Sequence, residues 1–81
     1  MATSNSPLAI GEEIKRVRES LGLTLMEFGE RVSIPWQTIA GYESGRVTPA
    51  GDRLLQILHA TRKAKEPFRV DRVARIVALA A

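Results

Sequence analysis

The stretch that decides the fold runs from Gly22 to Pro49, GLTLMEFGERVSIPWQTIAGYESGRVTP. Thr24 followed three residues later by Glu27 forms a capping box, in which hydroxyl and carboxylate each satisfy a free backbone N–H. Gly22, just before it, suits the left-handed stop of a preceding helix. Leu25, Phe28 and Val32 recur at spacings that build one apolar helical face. Gly29 interrupts that helix at a cost of about 1 kcal/mol relative to Ala. A close approach of another helix would explain it, because no side chain then keeps the two axes apart. Ser33 to Pro35 closes a tight turn, with Pro35 expected at the first position of the next helix, where a missing N–H does no harm. That second helix runs to about Ser44, turns Ile39 and Tyr42 inward, and ends at Gly45.

Working outward, the flanks add further helices. Ser6-Pro7 supplies a cap and a first-turn proline, and Ile10, Ile14, Val17 and Leu21 then share one face. Glu12, Glu13, Lys15, Arg16 and Glu19 form the expected solvated side. After the loop Gly45 to Thr48, Pro49 opens a helix with a broad face of Leu54, Leu55, Ile57 and Leu58. The polar linker Thr61 to Glu66 and the break at Pro67 precede a candidate fifth helix. Its apolar stripe is Phe68, Val70, Val73, Ile76, Val77 and Ala80, and Arg69, Arg72 and Arg75 lie on its other face. The stripe either folds over its own core or pairs with its copy in a symmetric dimer. The fold class expected is therefore all-α, a compact bundle of five helices. Its parts are a flexible N-terminus at 1–6, a main domain at 7–62 and a C-terminal helix at 63–81, a dimerisation element in the pairing reading.

Two short helices joined by a tight turn place one helix across a DNA backbone and the next in the major groove. This segment resembles the helix-turn-helix of the Cro/CI-like family, also called the XRE family, of phage, plasmid and bacterial repressors. The resemblance rests on Gly22-Leu23-Thr24, the small Gly29, the pair Thr38-Ile39, and Glu43-Ser44-Gly45 with Pro49 following. It covers roughly Ile10 to Thr61. Two positions depart from the family pattern: Leu25 stands where Gln often meets the DNA backbone, and Gly29 where Ala is usual.

The resemblance implies a lambda-repressor-like fold and a DNA-binding transcriptional repressor; a cytoplasmic location is expected separately, from the want of a membrane-length apolar run or a signal peptide. Trp36, Gln37 and Thr38 match the family's base-contacting positions. Gln can pair bidentately with adenine, and Thr can offer hydroxyl or methyl to either base. Trp36 would meet thymine methyls or sugars, or else cover the turn. Ala40 and Gly41 are small enough to let an outward face sit deep in the groove. Thr24, Ser44, Arg46, Thr48 and Arg53 are the candidates for the DNA backbone, with helix capping or a solvated charge as their plainer roles. Arg18 and Glu43 resemble the family's buried ion pair between the first and third helices, a structural feature. The implied partner is double-stranded DNA bearing an inverted repeat, read by a homodimer whose half-sites lie a helical turn apart.

Composition bounds the alternatives. Twelve Lys+Arg against nine Asp+Glu give a formal charge of +3, a modest bias toward polyanions. Arg62, Lys63, Lys65, Arg69, Arg72 and Arg75 crowd the last third. With no Cys among 81 residues, disulfides and thiolate metal sites are excluded. No apolar run approaches the roughly 20 residues of a membrane helix, and ATSNSPLA does not read as a signal peptide. His59, the sole histidine, has no catalytic partner at useful spacing, and no phosphate loop or metal cage is present. The expectation is no enzyme, no metal and no cofactor. The rival from another class is an antitoxin or adaptor that uses the same fold to hold a protein partner. The small size, without a sensor domain, suits a plasmid- or phage-encoded regulator.

Overall fold

The computed structural model describes residues 7–69, with side chains from Ile10 onward. Four helices follow one another: α1 Pro7–Ser20, α2 Leu25–Val32, α3 Trp36–Ser44 and α4 Gly51–Thr61. Among the described residues there is no strand. Among the described residues the all-α expectation holds, with four helices where the whole chain was expected to have five. The fifth was expected on residues that, from Val70 on, lie outside the described part.

The ends of α1 and α3 and both ends of α2 have local causes. Gly22, at φ +70°, ends α1 in a Schellman arrangement: its N–H donates to Glu19 O at 3.0 Å, and Leu23 N–H to Arg18 O at 3.2 Å. The capping box is complete, with Glu27 N–H on Thr24 Oγ1 at 3.1 Å and Thr24 N–H on Glu27 Oε1 at 2.8 Å. Ser33 takes the left-handed conformation at φ 62°, and Ile34 N–H closes back on Gly29 O at 3.0 Å. Gly45 stops α3 in the same manner, with Arg46 N–H on Gly41 O at 3.0 Å. Two prolines sit earlier than expected. Pro35 precedes the first residue of α3, and Pro49 is buried in the loop two residues before α4.

The core gathers Ile10, Ile14 and Val17 from α1, Phe28 and Val32 from α2, and Ile34 from the turn. Ile39 and Tyr42 from α3 and Ile57 from α4 complete it, with Phe68 from beyond the last helix. Each fully buried apolar side chain contributes about 1.5–3 kcal/mol. Helix α3 lies against both α1 and α2, so the helix that faces outward at its start is held on two sides. Contact with α1 is close enough that a Cβ on Gly11 would overlap the Tyr42 carbonyl oxygen and stand 3.0 Å from that of Glu43.

Three expectations about sidedness need correction. Leu55, placed on the apolar face of α4, is 56 % exposed; Ile57 is the side chain that α4 buries completely. Glu13, placed on the solvated side of α1, is buried. It receives Arg16 at 2.8 Å through Nη2 and 3.0 Å through Nε, and the Arg69 backbone N–H at 2.7 Å. Arg16 also donates to Pro67 O at 2.8 Å. The carboxylate is buried because the chain after α4 returns across α1 and offers it donors. Phe68, expected on the terminal stripe, is the apolar end of that return. It lies outside every described helix, after the end of α4, is 3 % exposed, and fills the core of its own chain. Val70, Val73, Ile76, Val77 and Ala80 lie outside the described residues.

Candidate nucleic-acid interface

The turn between α2 and α3 is unusually tight. An ideal Cβ at Gly29 would stand 2.6 Å from the Ile34 carbonyl oxygen and 3.1 Å from Trp36 N. The chain leaving α2 therefore runs directly over the Gly29 backbone and starts α3 there. From α4, the Gln56 side-chain amide donates to both Val32 O and Ser33 O at 2.9 Å. It satisfies carbonyls left over at the end of α2 and ties the turn to the fourth helix. Sequence reasoning missed Gln56; the signal was a polar side chain set between apolar residues of α4.

Helix α3 is fixed from within by Ile39, fully buried, and Tyr42, 3 % exposed. Its far end is fixed by charge. Arg18 and Glu43 form a two-pronged pair, Nε to Oε2 at 2.8 Å and Nη2 to Oε1 at 3.1 Å. The third arm of the guanidinium donates to Leu23 O at 3.0 Å. The expected ion pair is thus present and links α1, α3 and the loop before α2. The hydrogen bonds that Arg18 donates to Glu43, together with the carboxylate's negative charge, raise the Arg18 pKa above its ordinary value and keep the guanidinium charged.

The outer face of α3 is uneven. Trp36 is 41 % exposed and Gln37 is exposed, whereas Thr38 and Ala40 are half-buried. Gly41, expected outward, is buried instead: the Val47 side chain and the Arg46 guanidinium lie 3.1 and 3.3 Å from where its Cβ would be. The loop after α3 folds back over the helix, so the uncovered part of α3 is its first turn. There Trp36 and Gln37 line an open groove shared with Met26, Glu30 and Pro35, about 450 Å³ in volume.

The expected backbone contacts stand around this edge. The Thr24 hydroxyl acts as the α2 cap. The Ser44 hydroxyl donates to Gly41 O at 3.1 Å and accepts from Arg46 N–H at 3.3 Å, while the residue stays exposed. Arg46 and Thr48 are exposed, and Arg46 makes no ion pair among the described residues. Arg53 is half-buried and lies along α4, its Nη1 3.5 Å from Gln56 Oε1.

Residues 24–48 hold three carboxylates, Glu27, Glu30 and Glu43, against two arginines, Arg31 and Arg46. The motif is not basic in itself. Positive charge collects instead past α4, where Arg62, Lys63, Lys65 and Arg69 are all exposed. Among the described residues no cluster of His, Asp or Glu is arranged to hold a metal ion, and no helix is long and apolar enough to cross a membrane.

A capped helix, a turn closed over a glycine, and a second helix with an uncovered first turn define a helix-turn-helix. The family model for this domain, described as Helix-turn-helix, matches residues 14–66. The chain belongs to that family, in its XRE or Cro/CI type, and is a DNA-binding regulator. No curated protein and no solved structure matches it.

Proposed function

We propose that the chain is a sequence-specific transcriptional repressor that binds an inverted-repeat operator as a homodimer and blocks access to a promoter. The observation that carries this reading is the first turn of α3. Trp36 and Gln37 stand clear of the fold there, while Ile39, Tyr42 and the Arg18–Glu43 pair hold the helix behind them rigid. A rigid helix with a free N-terminal turn suits entry into the major groove. Gln37 is the main base reader, through adenine N6 and N7. Trp36 and Thr38 assist it, Thr38 with less reach because it is half-buried.

Thr24, Ser44, Arg46, Thr48 and Arg53 set the register on the phosphates, Arg46 foremost because its charge is uncommitted. The basic residues after α4 supply long-range attraction. The pairing surface is the stripe Val70, Val73, Ile76, Val77 and Ala80; Phe68 drops out of it because its own core holds it. Two subunits then read two half-sites.

Selection of bound duplexes from a random pool by the full-length protein tests the proposal. The expected result is an inverted repeat with half-site centres about 10 bp, one turn, apart. Enrichment of no sequence, with binding that disappears at moderate salt, would transfer the fold to an antitoxin or adaptor role.

A further inference from the structure

The apolar surface beside Gln37 draws on α2 as well as α3. Met26 is 60 % exposed and Trp36 41 %, and both line the same groove as Gln37. Single apolar residues on a surface are ordinary, but two sharing one groove next to a polar reader mark a contact site. Charge narrows the occupant. Among the described residues the one ionisable side chain lining the groove is Glu30, and no Lys or Arg lines it, so a phosphate is disfavoured and an uncharged base edge is favoured.

The major-groove edge of an A·T pair carries an acceptor and a donor on adenine, then an acceptor and the 5-methyl group on thymine. The Gln37 amide matches the adenine half. A thioether and an indole match the methyl group. Resting on the reading of α3 as the major-groove helix, we propose that Met26 and Trp36 together form a thymine 5-methyl site. Met26, on the helix otherwise assigned to the DNA backbone, is then a specificity residue.

The test uses the operator obtained by selection, resynthesised with each thymine replaced in turn by deoxyuridine, which deletes only the methyl group. Wild-type protein should lose about fourfold in affinity at one position per half-site, the equivalent of roughly 0.8 kcal/mol for one buried methyl. Met26→Ala should lose a similar factor on the thymine operator and nothing further on that deoxyuridine operator. As an exposed residue, Met26 can be truncated without opening the core. Equal binding of every deoxyuridine operator, with preference over unrelated duplex retained, would overturn the methyl site and leave the DNA reading intact. So would a Met26→Ala loss of the same size on both operators. A protein that prefers no duplex at all would overturn both readings.

Discussion

Replacing Gly29 by Ala sets two forces against each other, and the structure says which wins. Helix propensity alone favours Ala by about 1 kcal/mol. The new methyl carbon, however, would stand 2.6 Å from the Ile34 carbonyl oxygen, where ordinary contact begins at 3.4 Å. Trp36 N and Cα, at 3.1 and 3.3 Å, close the same side. The obstacle is backbone, so no side-chain rotation relieves it; the start of α3 must shift by roughly 0.8 Å, from 2.6 to 3.4 Å. Overpacking of this kind costs about 1–3 kcal/mol. Because the obstacle is backbone, the cost falls in the upper part of that range, about 2–3 kcal/mol, and after the propensity gain Gly29→Ala should destabilise the domain by about 1–2 kcal/mol. Urea unfolding should show a lower midpoint with an unchanged slope. Gly51→Ala is the control: Gly51 opens α4 with nothing within 4 Å of its Cβ direction, and that variant should not lose stability. The displaced turn carries Trp36 and Gln37, so operator affinity should fall even at temperatures where Gly29→Ala is fully folded. The family pattern accepts Ala at this place, which sharpens the test. A variant as stable as wild type, or more so, would refute the argument by showing that the turn relaxes freely.

Removing one half of the Arg18–Glu43 pair strands a mostly buried charge, so Arg18→Met should cost about 3 kcal/mol. Arg18→Met with Glu43→Leu should recover much of that loss, as read from thermal and urea midpoints. Gln56→Ala leaves the Val32 and Ser33 carbonyls without their side-chain donor and should cost about 1 kcal/mol. Faster amide exchange at Ile34 would locate that loss at the turn. On DNA, Gln37→Ala should cost about 1–3 kcal/mol on the selected operator and relax its sequence preference. Arg46→Ala should instead weaken all sequences alike and lower the salt slope by about 1; an unchanged slope would remove Arg46 from the phosphates.

Local chemistry made the helix-turn-helix legible in the sequence. A capping box, left-handed stops at Gly22 and Gly45, and apolar spacing are short-range features, complete within a few residues. Gly29 was legible too, because a glycine in a helix has a cost that a close approach explains. The Arg18–Glu43 pair came from the family resemblance, since nothing local joins residues so far apart. What the sequence could not settle was which polar side chains the fold would enclose. Glu13 reads as a surface residue of an amphipathic helix and is buried only because residues 67–69 return across α1. Gln56, a polar residue between apolar ones, becomes a helix stop for a different helix. Gly41 reads as an open patch on α3 and is roofed by Val47 and Arg46. Phe68 shows the same limit: the stripe to which it belongs was visible, but its burial depends on a pocket formed by elements far from it in the chain. Periodicity and capping are fixed by neighbours within a turn or two, so the sequence alone determined the helices and their stops. Burial and donor pairing between distant segments depend on how those helices meet, and only the tertiary structure decided them.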